Sequence, residues 1–339
     1  MRKGPCTILL LALLFVAPLT PLASGDESES QSYESSYVPI NHYYPFNGSS
    51  HHPTDPSFNA VNSDLIRLTP STGTLNNQYV SRADSLSARQ ISNNLCETNA
   101  DPLDGNGLSD YNWIWGQFLS HDISFVLTQN GRVAGLPETL DIPIPVGDDW
   151  LDPFSVGNLL IPMDRSLYNT STGTETLPRE FPNSITGWLD GSHVYGSSLS
   201  TSDWLRSFED GKLKTSNGFN GEFLPIADPN DETAPPVSFS GFSPSEKYVA
   251  GDPRANEHAA LTAMHVLFVR EHNRLADEIF LENDSMSDDE IYQLARKINT
   301  AQMQYITYFE YLPSLGVNLP EYTGFDATVN PSISNSFAT

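Results

Sequence analysis

The chain has 339 residues, 38% of them hydrophobic, enough for one large domain or two ordinary ones with a sizeable core. Its formal net charge of −25 argues against nucleic acid, anionic membranes and other polyanions as partners, and it favours solubility. No apolar run in the sequence is long enough to span a bilayer.

Met1 to Gly25 has a basic start at Arg2 and Lys3, an apolar run from Ile8 to Val16, and small residues Ala23 and Gly25 before Asp26. That is the pattern of a secretory signal peptide, so residues 1–25 are expected to be removed and the mature chain exported to the extracellular space. Loss of Arg2 and Lys3 takes the charge from −25 to −27. Cys6 leaves with the same segment. Cys96 is then alone, either a buried free thiol or half of a bridge whose partner lies elsewhere. Residues 26–39 are rich in Ser and Glu and are expected to be disordered or a removable pro-segment. From Ile40 to Asn106 the chain reads as loop, with no sustained period, and the adjacent His51 and His52 read as solvated.

Leu108 to Phe125, LSDYNWIWGQFLSHDISF, is the first stretch with helical spacing, carried by Trp113, Ile114, Trp115, Phe118 and Leu119 behind the candidate caps Ser109 and Asp110. On this helix Gln117 and His121 stand at i and i+4 and share a face, while Asp122 points about 100° away. An imidazole beside an amide suits proton transfer on a small polar ligand, and a nearby carboxylate suits a cation. The alternative is a histidine satisfied within the core.

Val133 to Pro162 carries many prolines and short apolar runs, which predicts short strands or extended loops. In SITGWLDGSHVYGSS, residues 184–198, Thr186, Trp188, Asp190 and Ser192 fall at every second position. Their oxygens, that of Trp188 being its backbone carbonyl, can converge on one hard cation such as calcium; the other reading is a polar turn around Asp190-Gly191. From Glu257 a helix is predicted with Leu261, Met264, Phe268, Leu275 and Ile279 inward and His265 and His272 as structural histidines. A second helix starts at the capping box Ser287/Glu290, turns Ile291, Leu294, Ile298 and Ile306 inward and is stopped by Pro313. Asn47, Asn169 and Asn283 head N-x-Ser/Thr triplets, a pattern of surface glycosylation in exported eukaryotic chains. The fold class is therefore mainly α with few short strands.

Five blocks in order, WGQFLSHD, TGWLDGS, AGDPRANEH, MHVLFVREHNRLADEI and ARKINTAQMQYITYFEYLP, resemble the animal-type haem peroxidase superfamily, nearer its peroxinectin-like members than the cyclooxygenases. The resemblance covers residues 40–339, read as one peroxidase domain. It implies haem b and calcium as cofactors, and hydrogen peroxide with a halide or small organic electron donor as substrates. Gln117 and His121 match the distal haem-pocket pair, Arg254 the distal arginine, and Asp122 with Thr186, Trp188, Asp190 and Ser192 the calcium ligands. In such chemistry His121 moves a proton between the two peroxide oxygens, and Arg254 stabilises the charge on the departing one.

Two positions depart from the mammalian pattern. Glu257 matches a Glu that is esterified to haem, but Ser120 stands where a second esterified residue, an Asp, would be, so at most one ester is expected, together with weaker halide oxidation. The sequence also ends at Thr339, within the segment NPSISNSFAT that precedes the proximal histidine in the family, so the chain resembles the N-terminal part of a peroxidase, expected to be inactive alone. A second reading, from another class, is an exported, non-catalytic binding or adhesion module on the same scaffold.

Overall fold

About half of the buried hydrophobic residues lie on two long helices, and the computed structural model builds the fold around them. It describes residues 43–68, 86–98, 104–128, 140–174, 176–218, 220–228, 230–238 and 248–338; the expected signal peptide and the acidic Ser-rich segment lie outside the described residues. α5 (Ala259–Glu282) buries Leu261, Met264, Phe268, Leu275 and Ile279, the predicted stripe. α6 (Asp288–Ile306) packs on it through Ile291, Ala295 and Met303. The predicted capping box is present: Ser287 Oγ accepts from the Glu290 N–H, and the Ser287 N–H donates to Glu290 Oε2 at 2.8 Å. The winding ends at Ser314, one residue past Pro313. Before that it widens into a π turn over Thr307–Tyr311 and resumes as α7 (Leu312–Ser314), which carries Pro313.

Against this pair packs α2 (Tyr111–Ile123), inside the predicted span. Ile114, Trp115 and Phe118 are buried as expected, and Phe118 stacks on Phe268 of α5 at 5.3 Å. Trp113 is instead 52% exposed, and Asp110 occupies the N-cap position without a side-chain bond. Two short helices follow, α3 (Ser192–Tyr195) and α4 (Leu199–Leu205). The strands are few: β1 (Ile142–Pro143) pairs antiparallel with β2 (Leu160–Ile161), and β3 (Ser216–Gly218) with β4 (Gly221–Phe223).

Three expectations are corrected. α1 (Ala88–Cys96) lies in the stretch read as loop; it buries no residue, so it left no apolar period, and it is held by the Ser87 cap and by Arg89 paired with Asp148 at 2.7 Å. His51 and His52 are not solvated. Being adjacent, they point apart, His51 beside the Trp188 ring and His52, 3% exposed, against Phe58 with Nδ1 accepting from the Asp55 N–H. Cys96 is exposed rather than buried, and it forms no bridge among the described residues. Of the three glycosylation triplets, Asn47 and Asn283 are exposed, whereas Asn169 is half-buried with Nδ2 donating to Asp64.

The last described residues return to the beginning of the described chain. Ser334 bridges Ile66 in parallel, the Asn335 N–H donates to the Ile66 carbonyl, and Asn59 Nδ2 donates to the Pro331 carbonyl at 2.7 Å. α8 (Asn335–Ala338) closes the described chain.

Candidate functional site

The C-terminal end of α2 would leave carbonyls and a buried turn unpaired, and two side chains from far along the sequence supply the partners. Asn183, 2% exposed, donates through Nδ2 to the Ile123 carbonyl and accepts from the Phe125 N–H. Arg254 Nη2 donates to the Ser124 carbonyl at 3.0 Å and to that of His121 at 3.5 Å, with its guanidinium over the Phe125 ring. These bonds fix the last turn of α2, the turn that carries His121.

His121 is 4% exposed. Its Nδ1 lies 3.8 Å from Asp252 Oδ1 and its Nε2 lies 3.9 Å from Glu257 Oε2. Burial, followed by the charge of Arg254 and the rings of His193 and His258, pushes its pKa down to about 3. The ring is therefore neutral across the physiological range and can accept a proton. Gln117, one turn earlier on the same face, donates through Nε2 to Glu257 Oε2 at 2.7 Å and through Oε1 meets His258 Nε2 at 2.8 Å.

The structure thus brings together all four residues matched to the distal side, Gln117, His121, Arg254 and Glu257. It also shows how Arg254 is held: Nε and Nη2 both pair with Asp252, at 2.9 and 2.7 Å, and the Arg254 N–H donates to the same carboxylate. Asp252 is 1% exposed, and its own N–H donates to the His193 carbonyl, which ties this turn to α3. Ser120 takes no part, since its hydroxyl donates to the Gln117 carbonyl along the helix. Sequence reasoning missed Asp252, Asn183 and His258. Asp252 had one available signal, its place two residues before Arg254 in a turn.

On the other side of α2, Asp122 is 1% exposed and turned to the 184–198 loop. Its carboxylate accepts from Ser192 Oγ at 3.0 Å and from the Gly191 N–H at 3.2 Å, and the His193 Nδ1 stands 2.8 Å away. Gly191 reaches Asp122 because it takes a left-handed φ of +76°, which a side chain would disfavour. Asp190 accepts from Thr186 Oγ1 at 2.9 Å and from the Ser192 N–H at 3.1 Å. The Trp188 N–H donates to Thr186 Oγ1, and its indole donates to the Phe58 carbonyl. The loop is therefore curled as the alternating pattern requires. Burial, then the Asp122 charge, pushes the Asp190 pKa up to about 8. A carboxylate whose ionisation is opposed by desolvation and by the neighbouring Asp122 charge fits a hard cation, which would relieve both effects. Among the described residues no three His, Cys, Asp or Glu side chains gather as a metal cluster, so a cation here would rest on two carboxylates with hydroxyl and carbonyl oxygens.

The family model described as animal haem peroxidase matches residues 43–339. Dual oxidase 2 of Rattus norvegicus is 34% identical over 344 residues, which is 98% of this chain and 21% of that protein. Dual oxidase 1 of Sus scrofa is 40% identical over 228 residues, 66% of this chain and 15% of the other. Among solved structures, peroxidase A from Dictyostelium discoideum superposes with a TM-score of 0.77 at 28% identity, over 87% of this chain and 57% of that one. Fatty acid alpha-dioxygenase of Arabidopsis thaliana, at 23% identity and a TM-score of 0.60, shares the fold. The match spans only 21% and 15% of the length of these two dual oxidases.

Proposed function

The chain belongs to the animal haem peroxidase family, and from that premise we propose that the full-length protein is an exported haem peroxidase that reduces hydrogen peroxide and oxidises a small organic donor or halide. The observation that carries this reading is the neutral, buried His121 with Gln117, Glu257 and Arg254 gathered beside it.

The fit to haem rests on the donor set. Among the described residues His121 Nδ1 is buried without a hydrogen-bond partner, and Nε2 lies 3.9 Å from Glu257 Oε2, beyond bonding distance, so the ring is available to exchange a proton. Haem b, when bound, would supply the redox centre that passes electrons from donor to peroxide. His121 would take the proton from one peroxide oxygen and return it to the other, which leaves as water. Arg254, anchored by Asp252, keeps a fixed positive charge next to that ring, where negative charge develops. The Gln117 amide would orient the peroxide through its second N–H. Glu257 has a partly exposed carboxylate and could form one haem ester; Ser120 has no carboxyl and could form none. Asp122, Thr186, Asp190, Ser192 and the Trp188 carbonyl would hold calcium, whose charge would compensate the two buried carboxylates.

His265 and His272 are fully buried in the core, and we assign neither to holding the haem. The test therefore uses the complete gene product. His121→Ala is expected to slow peroxide consumption in stopped flow by roughly 10²- to 10⁴-fold, the usual cost of losing a general acid-base group. An unchanged rate would reduce His121 to a core residue and leave the scaffold reading.

A further inference from the structure

We infer that His258 is a positioning residue that fixes the orientation of the Gln117 amide beside His121, an inference that rests on the peroxidase reading above. His258 is the N-cap of α5, and its Nδ1 accepts from the Leu261 N–H at 3.2 Å. A backbone N–H can only donate, so Nδ1 carries no proton and the neutral ring holds its proton on Nε2. That Nε2–H lies 2.8 Å from Gln117 Oε1, which must be the acceptor. Turning the amide over would set an NH₂ group against an N–H and break the bond. The amide nitrogen is thereby committed to Glu257 Oε2, 2.7 Å away.

One backbone N–H at a helix start thus dictates a chain of donors in a single direction: Leu261 to His258, His258 to Gln117, Gln117 to Glu257. Glu257 Oε2 in turn stands 3.9 Å from His121 Nε2. The Trp113 ring packs on the His258 ring at 5.2 Å and holds its plane. Gln117 keeps one N–H uncommitted by this chain, aimed by the other two bonds, as a donor for a small ligand. Capping alone does not explain a histidine here, because Ser, Thr, Asp or Asn caps a helix with a shorter side chain and reaches no Gln117.

The test separates the two roles. In the complete haem-loaded protein, His258→Ser retains a cap oxygen for Leu261 but loses the bond to Gln117, whereas His258→Ala loses both. His258→Ser is expected to melt close to the parent protein and to weaken fluoride binding at the ferric haem about tenfold, the loss of one aimed hydrogen bond. Gln117→Ala should weaken fluoride by a similar factor, and the double variant no further, since both act through one donor. Parental fluoride affinity in His258→Ser, or additive losses in the double variant, would overturn the inference. The tautomer is read independently of haem, from the ¹⁵N shifts of the His258 ring in the complete apoprotein: a single Nε2–H form is expected, and an average of two forms overturns the assignment. If the parent protein takes up no haem while that tautomer is found, the peroxidase reading fails and the hydrogen-bond chain stands.

Discussion

At the scale of single residues the least replaceable atom is one that is missing. A Cβ on Gly251 would run into backbone atoms of Ser192, Tyr195 and Gly196, so the turn that leads to Asp252 and Arg254 meets the 184–198 loop backbone to backbone. Neither side can give by changing a rotamer. Gly251→Ala is therefore expected to destabilise the protein by about 1–3 kcal/mol or more, exceeding the ~0.4–1 kcal/mol that an alanine gains by stiffening the unfolded chain. Gly105→Ala, where an added Cβ meets nothing within 4 Å, is the control and should be neutral or slightly stabilising. Denaturant midpoints of the two variants check this.

At the scale of elements, α2 is held between two partners, the Asp252–Arg254 turn and the loop of Thr186 to Ser192, and the second is expected to depend on charge. With no cation bound, an Asp190 pKa raised to about 8 means that the folded state binds a proton the unfolded state has released. Stability is then full below the ordinary carboxylate pKa and is lost as pH rises towards 8. Asp190→Asn removes that loss. In chelator at pH 8 the variant should melt at or above the parent, and in calcium the order should reverse, because only the parent gains from the ion. Melting curves in the four conditions would expose the idea as wrong if calcium raised neither protein. The helices here were legible because their apolar periods are local: α5 buries the stripe of Leu261 to Ile279, and α6 begins at the Ser287/Glu290 box, although of its expected inward set only Ile291 is fully buried and Leu294, Ile298 and Ile306 are half-buried. His121, Gln117 and Asp122 were legible as faces of one helix. The supports Asn183 and His258 were not, since they act across 58 to 141 residues of sequence, and no local pattern records such a bond; Asp252 left only its place two residues before Arg254. His51 and His52 were misread for the same reason, their distant ring partners being Trp188 and Phe325, which only the fold brings near.

At the scale of the molecule, the buried histidines should make the fold acid-sensitive. His272 donates from Nε2 to the Gly211 carbonyl and accepts at Nδ1 from the Tyr195 hydroxyl, and burial lowers its pKa to about 4. His265 is held well below its ordinary value by burial, and His121 at about 3. In each case the unfolded ring takes up a proton below about pH 6.5 that the folded ring refuses. Stability is thus intact above 6.5 and lost as pH falls. For His272 alone the loss is about 2 kcal/mol by pH 5, a sizeable part of the ~5–15 kcal/mol typical of a folded protein. Urea midpoints at pH 7.5 and 5, taken with calcium present so that Asp190 does not act in the opposite sense, should fall steeply for the parent and less for His272→Gln.

The clasp between Ile66 and Ser334 also sets a timetable. About 270 residues separate the two positions, so on a ribosome the first described loops emerge long before their partners exist. At roughly 5–20 residues per second, on the order of 15–50 s must pass before Ser334 can close on Ile66. During that interval His52 and Asn59, both buried in the finished protein, lack the ring contact with Phe325 and the bond to the Pro331 carbonyl that later residues supply. A nascent chain in this interval would be a natural client for chaperones, and a stall anywhere before residue 331 would leave the oldest part of the protein as the part still waiting to fold.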